Sequence, residues 1–112
     1  MIVEYIRYKI ADEARHTFES AYESAQGALH ASPQCLGYEL SKCMEEPDHY
    51  ILRIEWTSLE GHMEGFRKST AFRAFLKDVG PFVGNIEEMR HYEVTAVRSL
   101  SGEEGARQQP ER

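Results

Sequence analysis

The sequence lacks any long hydrophobic run. No apolar stretch in its 112 residues approaches the roughly 20 residues that a membrane-spanning helix requires. The first residues also lack the basic segment and apolar core of a secretory signal peptide. We therefore expect a cytoplasmic protein that does not enter a membrane.

The sequence also contains few positively charged residues. The chain has 13 Lys and Arg against 19 Asp and Glu, which gives a net charge of −6. Nucleic-acid binding requires basic residues that neutralise phosphates, so we do not expect a nucleic-acid partner. The hydrophobic fraction of 41% is typical of a folded domain, and the length suits one domain with a modest core.

Cysteines and metal-binding motifs are scarce too. Cys35 and Cys43 fall on one predicted strand, about 26 Å apart at 3.3 Å per residue, whereas a disulfide needs Cα atoms within about 7 Å. No HExxH or CxxC motif occurs. Glu88 and His91 have the spacing of helical di-iron ligands, but they fall on a predicted strand, where that spacing separates them onto opposite faces. The sequence therefore predicts no metal.

The most informative stretch runs from Tyr50 to Pro81. In its first seven residues, every second side chain is large and apolar and the side chains between them are Ile51, Arg53 and Glu55, a period of two that predicts a strand. Thr57 and Ser58 can then cap the start of a helix. Two short helices follow, whose apolar stripes are Leu59, His62, Met63, Phe66 and Phe72, Phe75, Leu76, Val79. This order should bring Trp56, His62 and Phe66 together at the end of the strand.

Apolar side chains that repeat every two residues or every 3.6 residues predict the other elements in the same way. These are a strand over 1–10, a helix from 11 or 12 to 31, and strands over 35–44 and 85–97. Glu4 interrupts the apolar face of the first strand. The order β-α-β-β-α-β predicts a ferredoxin-like α+β fold, with a four-stranded antiparallel sheet and helices on one face. Residues 1–97 form the domain, and 98–112 are predicted to be a disordered tail because Leu100 is their only large apolar residue.

The outer face of this sheet, away from the helices, is mixed in character. We expect it to carry Val3, Tyr5, Ile51 and Met89 among Arg7, Glu39, Arg53, Glu55 and Glu87. Such a face is too apolar to be purely solvated and too charged to be a plain core. Dimerisation through it would bury the apolar members and pair the charges, whereas a solvated face is the alternative.

Several segments together resemble the antibiotic biosynthesis monooxygenase superfamily of dimeric α+β barrels. The resemblance extends over nearly all of residues 1–97. The segments that carry it are Ile-Val-Glu-Tyr-Ile-Arg-Tyr at 2–8, Leu-Gly-Tyr-Glu-Leu at 36–40, Leu-Arg-Ile-Glu-Trp-Thr-Ser-Leu-Glu-Gly-His at 52–62, Phe-Arg-Lys-Ser-Thr-Ala-Phe at 66–72, and Glu-Glu-Met-Arg-His-Tyr at 87–92.

The resemblance implies a homodimer and a pocket between sheet and helices. Quinone-forming members of the superfamily oxidise anthrone-like or quinol-like aromatic molecules with O₂, without metal, flavin or haem. A pocket of this kind needs an apolar lining, a proton acceptor and groups that stabilise an anion. We expect Trp56, Phe66, Phe72 and Tyr5 to line it. We expect His62 to act as the base and Arg7 or Arg53 to stabilise negative charge.

The haem-degrading branch of the superfamily is excluded because Phe66 and Leu76 occupy the places of its Trp and axial His, and the first strand has no Asn.

The predicted site residues also have a second interpretation, which implies a different function. His62 could instead be a core histidine, and the arginines could form a cross-strand ion network. The chain would then be a non-catalytic ligand-binding or accessory domain, acting beside an oxygenase or oxygen-binding protein.

Overall fold

The computed structural model describes residues 1–99. Its main elements are β1 (Ile2–Lys9), α1 (Arg15–Ala31), β2 (Cys35–Lys42), β3 (His49–Trp56), α2 (Thr70–Val79) and β4 (Ile86–Glu93). The strands form one antiparallel sheet in the order β2-β3-β1-β4. This is the ferredoxin-like α+β fold that the sequence predicts. Within the described part of the chain, no helix combines the length and hydropathy needed to cross a bilayer.

Helix α1 packs a regular apolar stripe against the central strands β1 and β3. Its buried residues are Phe18, Tyr22, Ala25 and Leu29, which lie on one face of a 3.6-residue period. Phe18 is fully buried and packs edge-on against Tyr8 of β1, with ring centroids 4.8 Å apart. The sheet contributes Tyr50 and Leu52 to the same cluster. A continuous stripe on a continuous helix therefore builds a filled core.

The connection between β3 and α2 is irregular. The Ser58 hydroxyl accepts a hydrogen bond from the Gly61 N–H at 2.8 Å, so it caps the turn as the sequence predicts. A π-helical turn at Gly61–Gly65 and a 3₁₀ turn at Phe66–Lys68 follow. The Ser69 hydroxyl then accepts from the Phe72 N–H at 3.2 Å and starts α2.

Strand β4 departs from the sequence expectation in two ways. It ends at Glu93 and does not continue to residue 97. Its pairing with β1 also contains a bulge between Arg7 and Tyr8, after which Ile86 lies opposite Tyr8 while Met89 lies opposite Ile6. A bulge adds one residue on one strand and reverses the alternation of faces. The expectation that Met89 lies on the outer face is therefore wrong, because Met89 faces the helices.

The outer face of the sheet combines buried and exposed apolar groups. Val3 is buried. Tyr5 and Tyr92 are exposed and pack edge-on, with ring centroids 5.5 Å apart. Arg7 pairs with Glu87 at 3.5 Å, and the predicted tail 98–112 falls almost entirely outside the described residues.

Candidate functional site

Glu4 is a buried carboxylate on the inner face of the central strand β1. It lies opposite Ile54 of β3 and opposite His91 of β4 in the antiparallel register. Only 3% of the residue is exposed. Its Oε1 accepts a hydrogen bond from the indole N–H of Trp56 at 3.1 Å. Because unpaired buried charges are costly, such a carboxylate marks a position with more than a packing role.

His62 reaches Glu4 because the π-helical turn packs tightly against the neighbouring loops. A Cβ atom on Gly61 would lie 2.7 Å from the Thr57 hydroxyl, and one on Gly65 would lie 2.8 Å from the Gln34 side-chain amide. Glycine at both positions permits this close approach. The turn thereby lays the imidazole of His62 flat on Trp56, with ring centroids 4.4 Å apart.

Three titratable side chains converge at this point. Nδ1 of His62 and Nε2 of His91 form a hydrogen bond of 2.7 Å. Nε2 of His62 lies 3.5 Å from Oε1 of Glu4, and Nε2 of His91 lies 3.7 Å from Oε2 of Glu4. We call these three residues, Glu4, His62 and His91, the Glu–His–His cluster. One side chain comes from β1, one from the π-helical turn and one from β4.

Burial determines the protonation of the cluster. Burial, with smaller contributions from the charges of His91 and Arg67, lowers the pKa of His62 to about 4. Burial likewise lowers the pKa of His91 and raises the pKa of the Glu4 carboxyl. His62 is therefore an uncharged imidazole at neutral pH. Its 3.5 Å contact with Glu4 is then a polar contact and not a salt bridge, and the burial that keeps the ring unprotonated also makes it a weaker base.

A cavity of about 260 Å³ opens beside Glu4 and His62. Trp56, Phe66 and Phe72 line it together with aliphatic side chains of α2 and β4. Arg67 also reaches the lining, and its guanidinium carbon lies 5.6 Å from the centre of the Phe72 ring. The lining is therefore mostly apolar, with a carboxyl group, an imidazole and one cation at its border, which is typical of a small-molecule site.

A hollow of about 450 Å³ lies at the other side of the fold, between α1 and the β2–β3 edge. Its lining includes Glu19, Glu23, Glu39 and Lys42. Mixed surface charges of this kind are usual on a solvated groove. We place the candidate site in the smaller cavity because a buried carboxyl group, that of Glu4, and a buried imidazole, that of His62, both border it.

The structure separates the predicted site residues into two groups. His62, Trp56, Phe66 and Phe72 share the cavity. Tyr5, Arg7 and Arg53 lie on the outer face, because their side chains alternate with the inward-facing residues of the same strands. There Arg53 donates to Glu55 at 2.6 Å, and Arg53 and Tyr5 border a separate shallow hollow.

Sequence reasoning missed three charged or titratable residues of the candidate site: Glu4 and Arg67, which line the cavity, and His91, which contacts His62. Glu4 could have been identified, since a charged residue in the middle of an otherwise apolar strand face needs a polar partner when it is buried. His91 gave none, because its face depends on the bulge opposite Arg7 and Tyr8. Arg67 gave none either, because the π-helical turn changes the phase of the residues that follow it.

Comparison with known proteins identifies the family of this chain. Residues 1–78 match the family model described as antibiotic biosynthesis monooxygenase. The chain belongs to the antibiotic biosynthesis monooxygenase family. It is 30% identical over 93 residues to the uncharacterized protein YczJ of Bacillus subtilis, an alignment that covers 83% of this chain and 98% of YczJ.

Solved structures of similar proteins share the fold. A candidate antibiotic biosynthesis monooxygenase from Bordetella bronchiseptica superposes with a TM-score of 0.71 at 25% identity, covering 84% of this chain and 96% of the other. A conserved protein from Methanosarcina mazei gives the same TM-score at 16% identity, covering 84% and 92%. The second likeness shows the fold alone. The first agrees with the family assignment and with a monooxygenase-like class of protein.

Proposed function

We propose that this antibiotic biosynthesis monooxygenase family member oxidises a planar aromatic molecule of the anthrone or quinol type with O₂, without a metal, flavin or haem. The observation that carries the proposal is the buried Glu4–His62 pair at the border of an aromatic cavity. The cavity would hold the aromatic rings, and the pair would remove a proton. An electron-rich carbanion or phenolate can then react with O₂ by itself.

The reaction balances without an added reductant. A ring CH₂ group of an anthrone becomes a carbonyl group, which is a four-electron oxidation. One atom of O₂ becomes the carbonyl oxygen, and the other leaves as water with the two hydrogens. The substrate therefore supplies all four electrons, and the protein needs only to move protons and hold the anion.

We assign the base to His62. When its Nδ1–H donates to Nε2 of His91 over 2.7 Å, the lone pair of His62 lies on Nε2. That nitrogen is 3.5 Å from Oε1 of Glu4, and with the ring unprotonated the two atoms are both acceptors and form no hydrogen bond with each other. After proton transfer, the imidazolium would be stabilised by the carboxylate of Glu4, as in other histidine–carboxylate pairs.

We assign anion stabilisation to Arg67, because it is the arginine that lines the cavity. The roles predicted for Arg7 and Arg53 remain alternatives that mutation can separate. Arg67→Gln should reduce turnover, whereas Arg53→Gln should leave it unchanged if its function is the ion pair with Glu55. If Arg53→Gln loses turnover and Arg67→Gln keeps it, the site lies instead on the outer face of the sheet, beside Tyr5.

The decisive experiment is oxygen uptake by chelator-treated protein with a panel of anthrones and hydroquinones. His62→Gln keeps the approximate size of the side chain but should lower the rate by roughly 10²–10⁴-fold, the usual contribution of a general base. His16→Ala is the matched control, since His16 is exposed. Unchanged turnover by folded His62→Gln would remove His62 from the mechanism. Tight binding with no oxygen uptake would favour a non-catalytic binding domain.

We also propose that the protein is a homodimer formed through the outer face of the sheet. The exposed Tyr5–Tyr92 pair and the neighbouring ion pairs of Arg7 and Arg53 support this arrangement. Sedimentation equilibrium should give twice the 12.9 kDa mass of one chain. A Tyr92→Lys variant should shift the equilibrium to monomer. A wild-type monomer at micromolar concentration would contradict the proposal.

A further inference from the structure

The Glu–His–His cluster has the composition of a metal site. Glu4, His62 and His91 each offer one ligand atom, and these atoms lie within 4.8 Å of one another. The side chains of Glu4 and His62 are 4% and 5% exposed. Zinc binds nitrogen and carboxylate oxygen at about 2.0–2.2 Å, so its ligand atoms lie roughly 3–3.6 Å apart. The contacts of 2.7, 3.5 and 3.7 Å involve both ring nitrogens of His62 and both carboxylate oxygens of Glu4, so the side chains would rotate slightly for each to present one atom to a shared ion.

We propose that Glu4, His62 and His91 bind one divalent transition-metal ion, such as Zn²⁺, through a carboxylate oxygen and one nitrogen of each imidazole. Two imidazoles favour zinc and its neighbours over Mg²⁺ and Ca²⁺, which prefer oxygen ligands. Three protein ligands beside a cavity would leave a further coordination position for water or an exogenous molecule. The sequence predicts no metal because the three ligands share no local spacing and meet only through the strand register.

Trp56 supplies the outer support that metal ligands usually have. Its indole N–H donates to Oε1 of Glu4 at 3.1 Å, which fixes the plane of the carboxylate and leaves Oε2 without that donor. Groups that orient a ligand in this way commonly change metal affinity by about 10–100-fold. Trp56→Phe should therefore weaken binding by about 10-fold while it keeps an aromatic ring beneath His62.

Arg67 acts against binding. Its charge is felt at both histidines, and it would repel a cation in the cluster. Arg67→Gln should therefore tighten metal binding, the opposite of its expected effect on turnover. This opposition is a consequence that a purely structural role of Arg67 would not produce.

Metal binding and oxygenation should compete. A bound ion takes the lone pair that His62 would use as a base, so Zn²⁺ should inhibit oxygen uptake; this consequence rests on the proposed function. Metal binding itself is measured without substrate, so the two proposals can fail separately. If uptake requires a bound metal, the cofactor-independent mechanism is wrong and the metal site stands.

The test is titration of chelator-treated protein with Zn²⁺ by calorimetry and with Co²⁺ by visible absorption. We expect one ion per chain and Co²⁺ bands typical of nitrogen and oxygen ligation at low coordination number. Loss of a ligand should cost more than loss of its outer support, so His91→Ala and Glu4→Gln should each weaken binding by at least about 100-fold. His16→Ala should leave binding unchanged.

Two results would overturn the proposal. The first is the absence of binding by folded wild-type protein. The second is equal affinity in the wild type, Glu4→Gln and His91→Ala, which would place the bound ion elsewhere. His91 is partly exposed, and glutamine matches the size of Glu4, so both variants should fold. Circular dichroism checks that they do.

Discussion

The two helical segments that cover the sheet differ in regularity, and the irregular one borders the candidate site. Helix α1 runs without interruption over Arg15–Ala31 and presents a continuous buried stripe. The segment between β3 and β4 passes through a π-helical turn, a 3₁₀ turn, α2 and another 3₁₀ turn. The regular helix fills its half of the core, whereas the irregular segment leaves a cavity and turns polar groups into it.

The physical reason lies in the phase of the side chains. An α-helix repeats its face every 3.6 residues, so one apolar stripe can remain against a sheet for several turns. A π-helical turn adds a residue and rotates the following side chains. His62 lies in such a turn, and Arg67 follows it. Interrupted periodicity therefore brings an imidazole and a guanidinium to a border that a regular helix would line with apolar groups.

Truncation of Phe18 should give the largest loss of stability. Phe18 is fully buried and contacts three aromatic rings of the sheet and α1, those of Tyr8, Tyr22 and Tyr50. Phe18→Ala should lower the free energy of unfolding by about 3–5 kcal/mol, measured by urea denaturation. Phe72→Ala is the matched comparison, because Phe72 lies partly exposed at the cavity, and it should cost less than about 2 kcal/mol. Equal losses at the two sites would contradict the contrast between filled core and cavity.

Most of the fold follows from the sequence, for reasons that particular elements show. Alternation over 50–56 and the 3.6-residue stripe of α1 each depend only on nearby residues, so the strand and helix could be placed. The grouping of Trp56, His62 and Phe66 was also predictable, because a short capped turn joins the strand end to the next helix. Local patterns are sufficient wherever the chain itself makes the connection.

The candidate site was less predictable because strand pairing assembles it. Glu4 and His91 are far apart in sequence and meet only as a cross-strand pair of β1 and β4. The bulge opposite Arg7 and Tyr8 decides which face His91 occupies, and a bulge has no reliable local signature. The sequence therefore assigned Met89 to the wrong face and gave no role to His91.

Alkaline pH should weaken the α1 half of the core. Tyr8 and Tyr22 share a buried hydroxyl–hydroxyl hydrogen bond, and burial raises the pKa of each above the ordinary value of 10.0. Above pH 10 the unfolded chain releases these protons while the folded chain retains them. The free energy of unfolding should therefore fall as pH rises, by about 1.4 kcal/mol per pH unit for each tyrosine.

Tyr22→Phe tests this dependence directly. The variant removes one phenol of the hydrogen-bonded Tyr8–Tyr22 pair, so its unfolding free energy should decrease less steeply above pH 10. At neutral pH it should cost about 1 kcal/mol through loss of one hydrogen bond. Urea denaturation across the alkaline range measures both effects, and Tyr92→Phe, at an exposed tyrosine, is the control. Parallel pH profiles for wild type and Tyr22→Phe would show that other groups cause the loss.

The smallest effect should come from the surface of the irregular segment. Lys68 pairs with Glu64 at 2.7 Å, but the two side chains are 68% and 62% exposed, and exposed pairs of this kind contribute about 0.3–0.5 kcal/mol. Lys68→Gln should therefore lower stability by no more than that, and the loss should diminish at high salt as screening increases. Lys77→Gln is the control, since Lys77 forms no ion pair within residues 1–99. A loss above about 1 kcal/mol for Lys68→Gln alone would mean that a surface contact, and not the close packing of Gly61 and Gly65, holds the π-helical turn in place.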